Sequence, residues 1–382
     1  MKTNKLGRLN IVIITVALAS TMLVAASLFG LLHSDSGTGS NKNVTSSNNA
    51  KTDDTSLRPI LQPIQQAQNG IVNAGPSGNS LNTPLANNGG TENPAKTPST
   101  STDSSARPQP RTSTTPPVSK PTKTKLTDLK TAENQVYTSD NRLFVTGNGG
   151  IFEIVARSAS DVSIVDHTPK QRNCDFGGIV ELSGVLYVNC STLGPSYIYA
   201  AALAATPSFK QIYAFKSAIL PNGLTTDNSG NLYDASMFAG RILRLTPSVA
   251  NPLTFAKTEV WLNNTGLLTD GIKFYNGSIY WTDGRFLKSV SVKADGTPGR
   301  QTRLLSTAPT ILDDLTIDND GILVADHLYG VIRKYDLNGR STGTIPAKFT
   351  TPSSVVRARA PFPAGSLIVT ERSANQVTLF TP

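Results

Sequence analysis

The sequence predicts an all-β chain: a six-bladed β-propeller of four-stranded blades, preceded by an N-terminal membrane anchor and a disordered linker. Three observations predict it. The apolar residues that open the second strand of each unit, Leu143, Leu186, Leu232, Ile279, Ile322 and Leu367, follow one another at steps of 43, 46, 47, 43 and 45 residues. A four-stranded unit at roughly this spacing is the repeat of a propeller blade. The clearest unit, Ile311 to Gly339, reads as a β-meander, with two acids leading a strand, an Asn-Asp-Gly turn and two further strand-like runs. Looser copies start at Phe176, Leu220 and Leu268. Composition also shifts along the chain, so that only residues 124–382 have enough large apolar side chains to bury a core.

Residues 1–32 open with Lys2, Lys5 and Arg8 and continue as an uncharged run from Leu9 to Leu32. As a helix rising 1.5 Å per residue, that run is long enough to cross a hydrocarbon layer of roughly 30 Å. Two readings are open: a retained signal-anchor, or a signal peptide cleaved after Val24-Ala25-Ala26. The basic flank stays in the cytoplasm in both, which places the propeller outside it, membrane-anchored at the cell surface or in the periplasm, or secreted if the segment is cleaved. Residues 33–123 are rich in Ser, Thr, Asn, Pro and Gly and read as an extended, disordered linker. The net charge of +9 belongs mostly to these first segments, since 12 Lys and Arg face 5 acids up to Lys125 and 23 face 21 beyond it. The globular part therefore lacks the dense basic clusters of a nucleic-acid binder. Asn43, Asn189, Asn263 and Asn276 head glycosylation sequons.

Each repeat from about residue 124 reads as four strands; in the third they are Gly223 to Thr226, Asn231 to Ser236, Arg241 to Thr246 and Thr258 to Leu262. The sixth has three before the chain reaches Pro382. Its fourth is expected from the segment around Lys125 to Lys130, which would close the ring with both chain ends in one blade.

In a meander the start of the first strand and the end of the second lie at the same sheet edge. With the first strand innermost, the residues around the channel mouth are Glu133-Asn134, Gly177-Gly178, Asn222-Gly223, Asp270-Gly271, Asp313-Asp314 and Ser353-Ser354. The second-strand ends add Asp283, Asp326-His327 and Glu371. Carboxylates gathered in a concave site repel unless protons or a cation compensate them. Oxygen ligands without a Cys/His cluster suit Ca²⁺ or another hard divalent cation, and Glu133, Asn222, Asp270 and Asp313 form the candidate set. The plain alternative is that Asp and Asn ahead of strands satisfy local backbone N–H groups.

These residues resemble the six-bladed, calcium-dependent propellers of the senescence-marker-protein (regucalcin)/gluconolactonase family, which is related to paraoxonases and, more distantly, to strictosidine synthases. Ala132-Glu133-Asn134-Gln135-Val136 stands where that family has a Gly-Glu-Gly-Pro-Val context, and Pro221-Asn222-Gly223 matches its Pro-Asn-Gly. Asp270 in Thr269-Asp270-Gly271 and Asp313 in Leu312-Asp313-Asp314 match the Asn and Asp of two later blades. The resemblance covers about residues 126 to 382 and implies a metal role for Glu133, Asp270 and Asp313, with Asn222 beside them. It departs in the lost glycines and proline around Glu133, and in Asp270 standing where an Asn is expected, which adds negative charge. Ile311 to Gly339 also resembles an NHL repeat, a propeller unit used for binding.

The resemblance implies hydrolysis of a lactone or ester, with the cation polarising the carbonyl and a carboxylate taking a proton from water. Asp313 or Asp314 is the candidate base and His327 the candidate assistant. The other reading is a non-catalytic propeller that binds a protein or glycan partner at its mouth. With three His in the chain, a His-rich zinc site is not expected, and no Gly-x-Ser-x-Gly elbow or phosphate-binding glycine loop is present. Asp318-Asn319-Asp320-Gly321 reads as a hairpin turn, because the twelfth position of an EF-hand loop begun there is Tyr329. Cys174 and Cys190 flank the first hairpin of the second blade and fall nearly opposite each other, so a disulfide is expected in an exported chain. Tyr187, Tyr233, Tyr280 and Trp281 sit on second strands and are read as packing between blades.

Overall fold

The computed structural model describes residues 120–170, 174–192, 195–215 and 220–382. The expected anchor over 1–32 and all but the last four residues of the expected linker lie outside them. Among the described residues are six antiparallel sheets of four strands each. Blade 1 comprises β2 (Gln135–Tyr137), β3 (Leu143–Gly147), β4 (Gly150–Ala156) and β5 (Val162–Asp166); blade 2 comprises β6 (Asp175–Leu182), β7 (Val185–Ser191), β8 (Tyr197–Ala202) and β9 (Lys210–Ala214). Blade 3 follows with β10 (Leu220–Thr226), β11 (Leu232–Met237), β12 (Arg241–Pro247) and β13 (Phe255–Asn263), and blade 4 with β14 (Thr269–Tyr275), β15 (Ser278–Asp283), β16 (Phe286–Ser291) and β17 (Thr302–Ser306). Blade 5 holds β18 (Leu312–Asp318), β19 (Gly321–Asp326), β20 (Val331–Tyr335) and β21 (Ser341–Thr344), while blade 6 has β22 (Pro352–Arg357), β23 (Leu367–Glu371) and β24 (Gln376–Thr381).

The fourth strand of blade 6 is β1 (Thr122–Asp128), paired with β24 from Thr122↔Thr381 to Asp128↔Gln376. The ring closes as the strand count requires, with the closing strand a few residues earlier than Lys125 to Lys130.

The core is six separate interfaces between neighbouring sheets. Phe144, Ile151, Leu186 and Val188 fill the first, between blades 1 and 2. Tyr187, with Leu232 and Leu245, fills the next, and Tyr233 and Trp281 the one after. These three aromatics are fully buried, and Tyr280 is half-buried against the interface of blades 4 and 5. Alternation along the second strands explains the arrangement, because successive side chains face opposite neighbours. Asp318-Asn319-Asp320-Gly321 is the expected hairpin turn, with Asp318 paired to Gly321. The Asn189 sequon is no acceptor in the folded chain, since its side chain is buried and bonded; Asn263 and Asn276 are exposed.

Candidate active site at the channel mouth

A bulge at one place in each innermost strand builds the mouth. In blade 2 the pairing runs Phe176↔Cys190 and then Ile179↔Val188, so Gly177 and Gly178 together oppose Asn189. Asp270-Gly271 oppose Thr282 and Asp313-Asp314 oppose Ala325 in the same way. Asn222 is the extra residue in blade 3, and Ser353 in blade 6. In blade 1 the amide of Glu133 and the carbonyl of Asn134 both bond to Thr146. A bulge releases a residue from the ladder and re-aims its side chain, and it falls at the innermost-strand residues expected at the mouth in blades 2 to 6. Neighbouring bulges nearly touch. A Cβ on Gly223 would meet the Asp270 carbonyl at 2.4 Å, and one on Gly271 would meet Asp314 Cα at 2.4 Å. The glycine of each Asn-Gly or Asp-Gly pair is therefore required by close approach.

The residues opposite the bulges tie each blade to the next. Thr146 Oγ1 donates to the Gly177 carbonyl at 2.8 Å, Asn189 Nδ2 to that of Asn222 at 2.9 Å, Thr282 Oγ1 to that of Asp313 at 2.5 Å and Thr370 Oγ1 to that of Glu133 at 2.7 Å. The equivalent positions in blades 3 and 5 are Ala235 and Ala325. The carbonyls of Asp270 and Ser353 thus lack this side-chain donor.

The carboxylates differ in how they are compensated. Glu133 is engaged by Arg372. Asp314 is buried between Lys273 Nζ at 2.7 Å and Ser354 Oγ at 2.9 Å, so each of its oxygens is taken. Asp313 Oδ2 stands 3.2 Å from His327 Nδ1, an ion pair whose alignment is poor for a hydrogen bond. Burial pushes the Asp313 carboxyl up despite His327, and the neighbouring Asp314 adds to the rise. Burial pulls the His327 imidazolium down, but Asp313 and the Pro352 carbonyl outweigh it and leave the ring above its ordinary value.

Asp270 is the exception. Among the described residues no hydrogen bond or ion-pair contact reaches its carboxylate, and burial followed by the charges of Asp313 and Asp314 raises it well above the usual carboxylate range. The second-strand ends add no free acid to the ring. Asp283 is held by Lys288 at 2.6 Å, Asp326 by Arg333 at 2.6 Å and Glu371 by Lys123 at 2.9 Å.

Sequence reasoning missed these cations, because Lys288 and Arg333 lie on the far side of turns from the acids they meet and Lys273 reaches Asp314 across a blade boundary. It also missed Asp234, fully buried in β11 and bonded to Asn189 Nδ2 and Ser236 Oγ at 3.2 Å each. Burial pushes its carboxyl up to about 8. A signal existed: the same repeat position elsewhere holds Val145, Val188, Trp281, Val324 and Val369. Cys174 and Cys190 form the expected disulfide beside the Gly177-Gly178 bulge.

The donor chemistry at the mouth suits a hard cation. Asp270 supplies a carboxyl that no described residue contacts, although the charge of Lys273 partly offsets those of Asp313 and Asp314, and the Asn222 amide and bulge carbonyls supply neutral oxygens. Among the described residues no three His, Cys, Asp or Glu side chains close on one point. An ion held there would rest on few charges and complete its shell with amide, carbonyl and water oxygens, as Ca²⁺ tolerates.

No family model matches the chain, and no curated protein matches it in sequence. Solved structures share its architecture. A calcium-binding regucalcin from Agrobacterium tumefaciens superposes with a TM-score of 0.55 at 15% identity, over 68% of this chain and 92% of that one. A protein assigned as a gluconolactonase gives 0.53 at 14% identity, over 68% and 91%. A luciferin-regenerating enzyme gives 0.55 at 17% identity, over 69% and 96%. The chain has the six-bladed fold of these propellers. At such identities the likeness is one of architecture.

Proposed function

We propose that the protein is a hydrolase of the lactonase or esterase type, working at the channel mouth with a divalent cation of the Ca²⁺ kind. Asp270 carries this reading: a buried acid beside two others with no counter-charge in contact is the place where a cation gains most. Asp270, Asn222 and the neighbouring bulge carbonyls would hold the ion, and Glu133 would join if Arg372 released it. When bound, such an ion polarises a carbonyl and stabilises the oxyanion that forms on it. Asp313 takes the proton of the attacking water on the oxygen turned away from His327, burial having raised its carboxyl and made it a stronger proton acceptor than an ordinary one. His327 orients Asp313 from the other side. Asp314, clamped by Lys273 and Ser354, supports the bulge rather than the chemistry. The export segment expected over residues 1–32 and the Cys174–Cys190 bridge support a place outside the cytoplasm.

One observation favours the second reading, a non-catalytic propeller that binds a protein or glycan. Apart from Asp270 and Asp313, the acids gathered there are neutralised by Lys or Arg of the chain itself.

The deciding experiment strips the full-length protein with chelator and follows its melting temperature as Ca²⁺ is returned, beside Asp270→Asn, while lactones and aryl esters are screened. The hydrolase reading expects a rise that the variant loses, about 2.7 kcal/mol of stabilisation at a hundredfold excess over Kd, and turnover that needs the ion. No shift and no turnover would leave the binding propeller.

A further inference from the structure

The large apolar side chains that remain in water are not evenly spread. Phe238 is 51% exposed, Leu267 70% and Tyr329 48%, and all three stand on the mouth face, in the turns after β11 and β19 and in the loop ahead of β14. The other large hydrophobics classed as exposed among the described residues are valines of outer strands (Val155, Val165, Val260) or of the far-face turn (Val249). A single exposed apolar residue carries no message.

Phe238 and Leu267 are joined. The Phe238 N–H donates to the Leu267 carbonyl at 2.8 Å, and the Thr265 N–H to the Gly240 carbonyl at 3.0 Å, stitching the turn of blade 3 to the loop that enters blade 4. That loop is anchored from beneath. Thr265 is fully buried, its hydroxyl bonds Thr269 at 2.7 Å, and its carbonyl accepts from Trp281 Nε1 at 3.2 Å and Lys288 Nζ at 2.7 Å. Phe238 itself has φ of 59°, the left-handed region that bulky side chains rarely adopt. The fold therefore fixes the backbone that carries two unshielded apolar side chains, with Leu267 only three residues ahead of Asp270. The next residue, Leu268, donates its N–H to Asp283 at 3.1 Å, so the loop ends in the mouth.

We propose that Phe238 and Leu267 form an apolar lip that receives the hydrocarbon tail of a neutral ester or lactone whose carbonyl lies at Asp270 and Asp313. This rests on the hydrolase reading and narrows it, since a polyhydroxylated lactone has no tail to shelter there. Each methylene moved from water onto such a surface strengthens binding by up to about fourfold.

The test uses the full-length protein with Ca²⁺, as wild type and as the Phe238→Ser/Leu267→Ser double variant. Initial rates are measured on p-nitrophenyl acetate, butyrate and octanoate, and binding of N-methylacetamide and N-methyloctanamide, the amide counterparts, by calorimetry. The lip expects kcat/KM to climb with acyl length and the octanoate-to-acetate ratio to fall at least tenfold in the variant. Hydrolysis with a flat series in the wild type would overturn the lip and leave the hydrolase. Octanamide binding lost in the variant, without hydrolysis of any ester, would support the lip and remove the chemistry. Absence of both would end both.

Discussion

Thr282 Oγ1 donates a 2.5 Å hydrogen bond to the Asp313 carbonyl across the boundary between blades 4 and 5. Among the described residues the hydroxyl is the only link of its kind to a bulge that carries a candidate base, and both partners are buried. Thr282→Val keeps the shape and removes the donor, leaving a buried carbonyl unsatisfied at a cost of about 1–3 kcal/mol. For a domain of this size we expect the melting temperature to fall by about 2–6 °C. If ester turnover is found, kcat should fall with it. An unchanged melt would show that water replaces the hydroxyl.

Asp234 predicts a pH dependence that no surface group would give. Its carboxyl, pushed up to about 8 by burial, holds its proton in the folded chain long after an unfolded Asp, near 3.9, has lost it. The folded state then binds more protons, so the stability this group contributes is complete below about pH 4 and is lost as pH rises towards 8. Asp234→Asn has no proton to lose. Denaturant melts at a series of pH values should show the wild type losing ground to the variant across that window. Parallel curves would mean that the acid is compensated when ionised.

Arg372 competes for Glu133, the mouth acid nearest the ring closure. Its side chain is about half exposed (47%), so it can leave without burying a hole. Arg372→Ala should tighten Ca²⁺ binding by about tenfold, or 1.4 kcal/mol, read by calorimetry on chelator-stripped protein. Unchanged affinity would exclude Glu133 from the ion's shell.

The disulfide closes a loop of sequence separation 16. The chain-entropy estimate for such a loop is about 3 kcal/mol, so Cys174→Ser/Cys190→Ser should melt earlier than the oxidised wild type. Reductant should lower the melt of the wild type and leave the variant where it was. A variant as stable as the oxidised wild type would show that strain in the folded state cancels the loop term.

The blades were legible because a repeat of this length with turn residues at fixed offsets has few other solutions, and the mouth ring because Asn-Gly, Asp-Gly and Asp-Asp recur ahead of the same strand. The bulges were not. A two-to-one pairing such as Asp313-Asp314 against Ala325 leaves the alternation on either side intact, so the period does not betray it. The partners of the acids were hidden for a different reason: Lys273 meets Asp314 across a blade boundary, and Arg372 meets Glu133 across the closure of the ring. Asn189 heads a sequon in the sequence, but the pattern alone does not say where it lies: its amide bonds both the Asn222 carbonyl and Asp234 inside the protein.

The pairing of β1 with β24 sets an order of assembly. Every other blade is made of strands consecutive in sequence, so its own pairings wait for no distant segment. β1 emerges ahead of all six and stays without a partner until Thr381 is available to meet Thr122. Loop-closure entropy makes that contact slow. Until then β24 presents an unpaired edge, a template for any stray strand. The seam is therefore the step at which a crowded or truncated chain would exchange strands with a neighbour, and a free peptide with the sequence of residues 122–128 should be captured by a chain that begins after them.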